Sequence, residues 1–423
     1  MPRMFIHVGA VFLIVAAGAE RAGAQSDPAS CAPFVLTGTV LECTASGSPR
    51  GQLGTGTFIA GSTAVGETLA LALGVEVATA PVGSSSGGFT YTFNAERREW
   101  TRTARTFGPA FSERALTIGR KKLSAGFNYL PRRYDRVDGI ALDQIVPFQF
   151  RGGSLAVSAS TLQLKVSTDT VAAFAHYGVL DTLDVGVLVP YVHIAVEGTS
   201  RIFGQADEEL QRVNLDASAS GVGDVAIFGK YRFWRTATNA NAPGRDAGLA
   251  VALTARLPTG DENKLLGLGT GRLLVSLVGS AATGRFSPHV NVGYEFWGSS
   301  VATPQDFQGS TLLSVKDQVQ YSAGLEYEQN ARLTLVLDVL GRYQRGGGQV
   351  GYQEFRFPAN RANVPGAEAL VAIPGGYNAV LIAPGAKWNF YRAALLTVNV
   401  LISATDGGLT DRVTPVIGLD LGL

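Results

Sequence analysis

Beyond residue 19 the chain has no apolar run long enough for a membrane-spanning helix. Such a helix needs roughly 20 apolar residues to satisfy its own backbone in lipid, so a helical membrane protein is excluded. Charge of one sign is missing as well. The 35 Lys and Arg nearly balance 34 Asp and Glu, leaving +1, which offers nucleic acid no electrostatic footprint. Cysteine and methionine are scarce, two of each in 423 residues. No CxxC and no Cys/His cluster occurs, so neither a metal nor a cofactor is expected. What is plentiful is glycine, 52 residues, which supplies turns and close strand contacts.

The first 24 residues read as an export signal. Arg3 gives the positive start, residues 8–18 the apolar stretch, and Ala22-Gly23-Ala24 the small-residue cleavage pattern, so the mature chain is expected to begin at Gln25. Export leads to an oxidising compartment. Cys31 and Cys43 are expected to pair there into one small loop.

From about residue 121 the sequence alternates with period two, the pattern of half-buried strands. In residues 285–297, Phe286, Val290, Val292, Tyr294 and Phe296 form one face, and Arg285, Ser287, His289, Asn291 and Glu295 the other. Val319, Tyr321, Ala323, Leu325 and Tyr327 oppose Gln318, Gln320, Ser322, Gly324 and Glu326. Leu162, Leu164 and Val166 oppose Gln163, Lys165, Ser167 and Asp169. A soluble sandwich alternates too, but its strands run to about six residues. These run to roughly 11–18, enough for the tilted strand of about 9–11 that crosses a bilayer. Charges of both signs sit mid-strand on the polar face, as in a wet lumen, and aromatics (Tyr177, Tyr231, Phe233, Phe296, Trp297, Tyr327, Tyr343, Trp388, Phe390) gather near strand ends, as in interfacial girdles.

Tight connections alternate with long ones, so the expected fold is all-β: a transmembrane antiparallel up-and-down barrel over residues 121–423. Twelve strands are expected, near 121–134, 159–178, 183–199, 222–235, 247–259, 271–283, 286–298, 317–328, 331–344, 378–391, 394–404 and 413–423. The long connections near 199–221, 260–270, 299–316 and 345–377 read as outer loops. Residues 25–120 differ: they are rich in Gly, Ser and Thr, with one apolar stretch at 69–80 and a possible hairpin over 89–105. A hairpin that joined the sheet would make fourteen strands. Otherwise the segment is a plug in the lumen or a periplasmic extension, and the plug is preferred.

The polar faces supply the candidate site: Lys165, Asp169, Lys230, Arg232, Arg256, Arg285, Glu295, Glu326, Asp338, Arg342 and Lys387 are expected to line the lumen. They either guide a ligand or pair with each other to fill a narrow barrel, since buried charges need partners. Pro190 and Pro384-Gly385 fall inside strands, where a missing N–H breaks the ladder, and are candidate wall kinks through which an apolar solute could leave sideways. A barrel esterase would need a Ser–His pair on adjacent strands. His289 has Ser287 two residues away on its own strand, too far for that, so no catalytic residue is expected.

Residues 221–234 (GVGDVAIFGKYRFW), residues 257–271 (LPTGDENKLLGLGTG) and residues 176–194 (HYGVLDTLDVGVLVPYVHI) resemble the outer-membrane barrel family of the meta-pathway of phenol degradation, itself similar in style to the long-chain fatty-acid channels. The resemblance implies a Gram-negative outer-membrane channel passing hydrophobic or aromatic small molecules, with no catalytic residue to carry over. The expected partners are outer-membrane lipid, a small hydrophobic solute and, during biogenesis, the barrel-assembly machinery, and the expected state is a monomer. A general diffusion porin and a structural or surface-binding barrel are the alternatives.

Overall fold

The structure is a computed structural model that describes residues 69–81, 83, 84, 88–94, 99–102, 104–151, 158–236, 245–302, 314–356 and 366–422. The export signal, Cys31 and Cys43 lie outside the described residues. Twelve antiparallel strands form the wall: β1 Leu123–Tyr134, β2 Ala159–Leu180, β3 Leu183–Phe203, β4 Ala226–Arg235, β5 Arg245–Arg256 and β6 Arg272–Thr283. They continue as β7 Phe286–Trp297, β8 Gln318–Asn330, β9 Leu333–Gln344, β10 Tyr377–Tyr391, β11 Ala394–Ser403 and β12 Val413–Gly422. Each pairs with its sequence neighbour, and β12 pairs back on β1 from Ile417↔Tyr129 to Gly422↔Ser124, which closes the barrel. Closure removes both sheet edges, the condition for a sheet to cross a bilayer. The hairpin of Tyr91–Asn94 with Glu99–Arg102 is a separate two-stranded sheet, so the count is twelve.

The alternation decides which face meets lipid. Phe127, Val171, Val187, Ile227, Leu253, Leu277, Val290, Val292, Leu337 and Ile417 are exposed around the wall. Such a continuous belt far exceeds the few hundred Å² of apolar patch a soluble surface carries, and bilayer is what covers it. Tyr177, Tyr231, Phe233, Phe296, Tyr343, Trp388 and Phe390 lie on this face. Trp297 does not. It is buried, with the Arg272 guanidinium 5.5 Å from its ring centroid and its indole N–H donated to Glu295 (3.3 Å).

At 22 and 21 residues, β2 and β3 are about twice the length a crossing needs, and they rise past the membrane at the long-loop end. Two expected loops are strands here. Glu209–Val222 pairs along upper β3, and the hairpin of Gln349–Arg356 with Gly366–Ile373 joins Ile145–Arg151, which pairs with upper β2. Glu209–Val222 is continuous with β4. The register steps from Tyr191↔Val222 to Leu188↔Ala226, so residues 223–225 face only 189–190, a β-bulge opposite Pro190. Gly223 N donates to Pro190 O (2.9 Å), and the wall stays hydrogen-bonded there. At Pro384 two rungs toward β11 are missing, but Ile382↔Ile402 and Gly385↔Asn399 keep one register.

Candidate functional site: a chamber inside the barrel

The described residues between 69 and 118 run inside the barrel. Residues 69–79 form a helix near the long-loop end. Its Leu69, Ala70 and Leu73 pack on Tyr134, Val137, Leu164, Val166, Ile194 and Leu266. This is why the faces of upper β2 are the reverse of expectation. Above the membrane the outside meets water and the inside meets an apolar helix, so Leu162, Leu164 and Val166 turn inward. Lys165 and Asp169 therefore lie on the outer surface. The Lys165 side chain is 85% exposed beside Glu197, and Asp169 is held by Arg133 and by the Tyr129 hydroxyl. Arg285 is also not a lumen residue. It is exposed in the turn between β6 and β7.

The other eight candidates do point inward, with partners. Glu295 takes Arg256 (3.5 Å), Arg272 (4.0 Å) and the Gln318 amide. Arg342 meets Glu76 of the helix, which also accepts from Arg132 at 2.5 Å. Burial alone would push the Glu76 carboxyl up, but Arg342 and Arg132 outweigh it and hold the group below the usual glutamate range. Lys230 pairs with Glu113 (3.2 Å), and Arg232 donates to Asp181 O (2.8 Å). Lys387 Nζ donates to Pro109 O (2.6 Å). Glu326, Asp338 and His289 form one buried group, with His289 Nε2 2.7 Å from Asp338 and Nδ1 3.7 Å from Glu326.

Near the short-turn end, residues 104–118 cross the lumen without joining the sheet. Backbone N–H groups outside a ladder need acceptors, and wall side chains supply them. Phe107 N donates to Thr334 (3.1 Å), Gly108 N to Glu326 (3.0 Å), and Ala110 N and Phe111 N both to Asp338 (3.1 and 3.0 Å). Glu113 N donates to Asn291, Ala115 N to Ser280 and Ile118 N to Asp184, each at 3.0 Å. Gly108 has φ +82°, which a side chain rarely adopts, and the Arg114 guanidinium lies against the space a Cβ would take.

The loop over 257–271 closes in from the other end. Asp261 caps the short 3-10 helix Glu262–Lys264, and the chain then turns Leu265, Leu266 and Leu268 into the core. Asp224, in the bulge, anchors this loop. Its carboxylate accepts from Gly260 N (3.2 Å) and from Arg272 Nη2 (3.2 Å), while Thr259 bonds Gly223 O (2.8 Å) and Val225 N (2.9 Å). The GVGD and LPTGD stretches are thus two halves of one contact. Asp224→Ala removes the nearer carboxylate from a fully buried Arg272, leaving it Ala78 O (3.1 Å) and Glu295 (4.0 Å), and is expected to cost about 2 kcal/mol. Thermal unfolding in detergent measures this, and an unchanged transition would refute the anchoring role.

Between helix and crossing segment lies a chamber of about 240 Å³. Phe174, Leu188, Ala226 and Phe228 make an apolar patch on its wall, with Arg256, Asn291, Gln320, Ser322 and Arg342 on other parts of its lining. Gly186 is required by this patch, because a Cβ there would stand 2.3 Å from the Phe228 ring. No group of three or more metal-ligating residues exists among the described residues. His193 Nδ1 does lie 2.7 Å from Ser220 Oγ on the adjacent strand, but Asp169, opposite His193, is engaged by Arg133 and Tyr129 and orients nothing.

Sequence reasoning missed Glu76, Arg132, Arg272, Asp224 as an ion-pair partner and the crossing segment's bonds. Glu76 carried a signal: it is the one charge in the apolar stretch 69–80.

No curated protein matches the chain. Solved structures similar to it include an outer-membrane channel from Pseudomonas putida F1, with 10% identity over 73% of this chain and 98% of that one, at a TM-score of 0.43. The TodX monoaromatic hydrocarbon channel, as its deltaS2S3 mutant, has 9% identity over 82% and 97%, at a TM-score of 0.34. The CymD monoaromatic hydrocarbon channel has 11% over 72% and 88%, at 0.29. Residues 135–390, well over half of the chain and including both halves of the Asp224 contact, match the family described as "Putative MetA-pathway of phenol degradation", and the chain belongs to that family.

Proposed function

We propose that the chain is a monomeric outer-membrane channel for hydrophobic or aromatic small molecules, with the N-terminal segment as a plug that closes it at rest. The chamber carries this reading. Its volume of about 240 Å³ exceeds the roughly 150 Å³ apolar cavity that takes up benzene. Its closures are held by side chains, to backbone N–H groups of the crossing segment and to Glu76 of the helix, rather than by strand pairing, so they can release without dismantling the wall. The inward charges serve chiefly as that latch: Glu326, Asp338 and Lys387 hold the crossing segment, while Arg342 holds the helix. No catalytic step belongs to this reading. His289 is held between two carboxylates as part of the latch. The barrel-assembly machinery would act on the amphipathic strand β12, which closes the barrel on β1.

Liposomes containing the purified protein test the proposal. Intact protein is expected to pass toluene without steady ionic current, and protein lacking residues 25–120 to pass both. A steady current through the intact protein would favour a general diffusion porin. No flux in either form, with the barrel verified as folded, would overturn the channel reading in favour of a structural or surface-binding barrel.

A further inference from the structure

His176 stands out within the chamber lining. It projects inward from β2 between Ser124 of β1 and Gly186 of β3 in the register. Its ring packs against two aromatics, with centroids 5.1 Å from Phe174 (tilted) and 4.8 Å from Phe228 (edge-on). The residue is 2% exposed, and neither ring nitrogen has a hydrogen-bond partner among the described residues. The apparent partner, Ser124, gives its hydroxyl to Asp420 instead (2.5 Å). Buried polar side chains almost always have a partner, and one without, facing a chamber, marks a place where a bound group can supply it. A neutral imidazole offers one N–H donor and one acceptor nitrogen, and here both stand unused in a slot walled by Phe rings.

We propose that His176 makes the chamber a binding site for a single-ring aromatic that carries a hydroxyl, with the ring against Phe174 and Phe228 and the hydroxyl bonded to the imidazole. This deepens the channel reading and rests on it for how the guest arrives. A hydroxyl can both donate and accept, so it answers either tautomer. An unsubstituted hydrocarbon still fills the slot but leaves His176 as it was. The residue thus discriminates by the hydroxyl, while the phenylalanines accept any small ring. A site built around a hydrogen bond rejects the analogue lacking the group, whereas an apolar pocket tells such pairs apart poorly.

Equilibrium binding to the full-length protein in detergent, with phenol and toluene as probes, tests this apart from transport. His176→Phe is expected to weaken phenol about tenfold, the ratio for one hydrogen bond near 1.4 kcal/mol, and to leave toluene within about twofold. His176→Gln, which keeps a donor and an acceptor, should retain most of the phenol affinity. Equal loss of both probes in His176→Phe, or loss of neither, overturns the proposal. A readout on the unaltered protein guards against a misfolded variant. The imidazole nitrogen resonances of His176, assigned by their absence in His176→Gln, should show the large shift of a new hydrogen bond on adding phenol and only the small shift of a nearby ring with toluene. No such large shift with phenol would mean that His176 is satisfied by water or not at all, which also overturns the proposal. The two readings fail separately: phenol bound through His176 with no flux in liposomes sinks the channel, and toluene flux with no His176 effect sinks the hydroxyl site.

Discussion

Asp338→Ala is expected to turn a sealed barrel into a conducting one. One carboxylate, fully buried on β9, accepts two consecutive backbone N–H groups of the crossing segment, Ala110 and Phe111, and also pairs with His289. Alanine removes all three bonds together. Breaking a buried pair by deleting one partner costs on the order of 3–5 kcal/mol, because the group left behind keeps its burial and loses its compensation. The wall around it does not depend on this residue, since β9 keeps its backbone ladders to β8 and β10. The loss therefore falls on the docking of residues 104–118. Single-channel recording should find steady current in Asp338→Ala and none in the parent. Asp338→Asn, which keeps one acceptor oxygen, should fall between them. A silent Asp338→Ala channel, with heat-modifiable migration showing a folded barrel, would mean the segment is held by something other than these bonds.

The same residues show what could and could not be read from the sequence. All twelve strands were legible, because lipid outside and a polar interior impose a period-two pattern over ten or more residues, as in β7 and β8. Parity was legible throughout, but in upper β2 the side that faces inward was not. Lys165 stands between Leu164 and Val166 as Glu326 does between Leu325 and Tyr327, and Asp169 continues its face, yet both sit where the sheet has left the bilayer and its interior is filled by an apolar helix. Trp297 was read as interfacial for the same reason: its type fits a girdle, and only Arg272, from the neighbouring strand, shows why it turns in. The strand Glu209–Val222 escaped notice because its sequence, ELQRVNLDASASGV, is mostly polar; it pairs because β3 overruns the membrane and offers it an edge. Asp224 was legible as a turn residue in a motif. Its role depends on Arg272, 48 positions away, and no local pattern reports that contact.

Glu76→Ala should release the helix that closes the long-loop side of the chamber. The carboxylate is the only charge on residues 69–79 and sits between Arg132 and Arg342, which come from strands on different sides of the barrel. Without it, two buried guanidinium groups face each other unpaired, and the apolar contacts of Leu69 and Leu73 must hold the helix against them. If the local cost is about 3 kcal/mol, amide exchange across residues 69–79 accelerates about 100-fold, while the wall strands stay protected. Acid should act in the same direction on the parent. The folded Glu76 value lies below the unfolded one, so the anchor contributes fully above the ordinary glutamate range near 4.3 and is lost as the pH falls through the depressed folded value. Exchange of the helix should therefore speed up only in strong acid, and that step should vanish in Glu76→Gln, which has no proton to gain. Helix exchange that is unchanged in Glu76→Ala would show that apolar packing alone seats the helix. The ion pairs would then matter for filling the lumen and not for closing it, and the closure would have to rest on the segment held by Asp338 and Glu326.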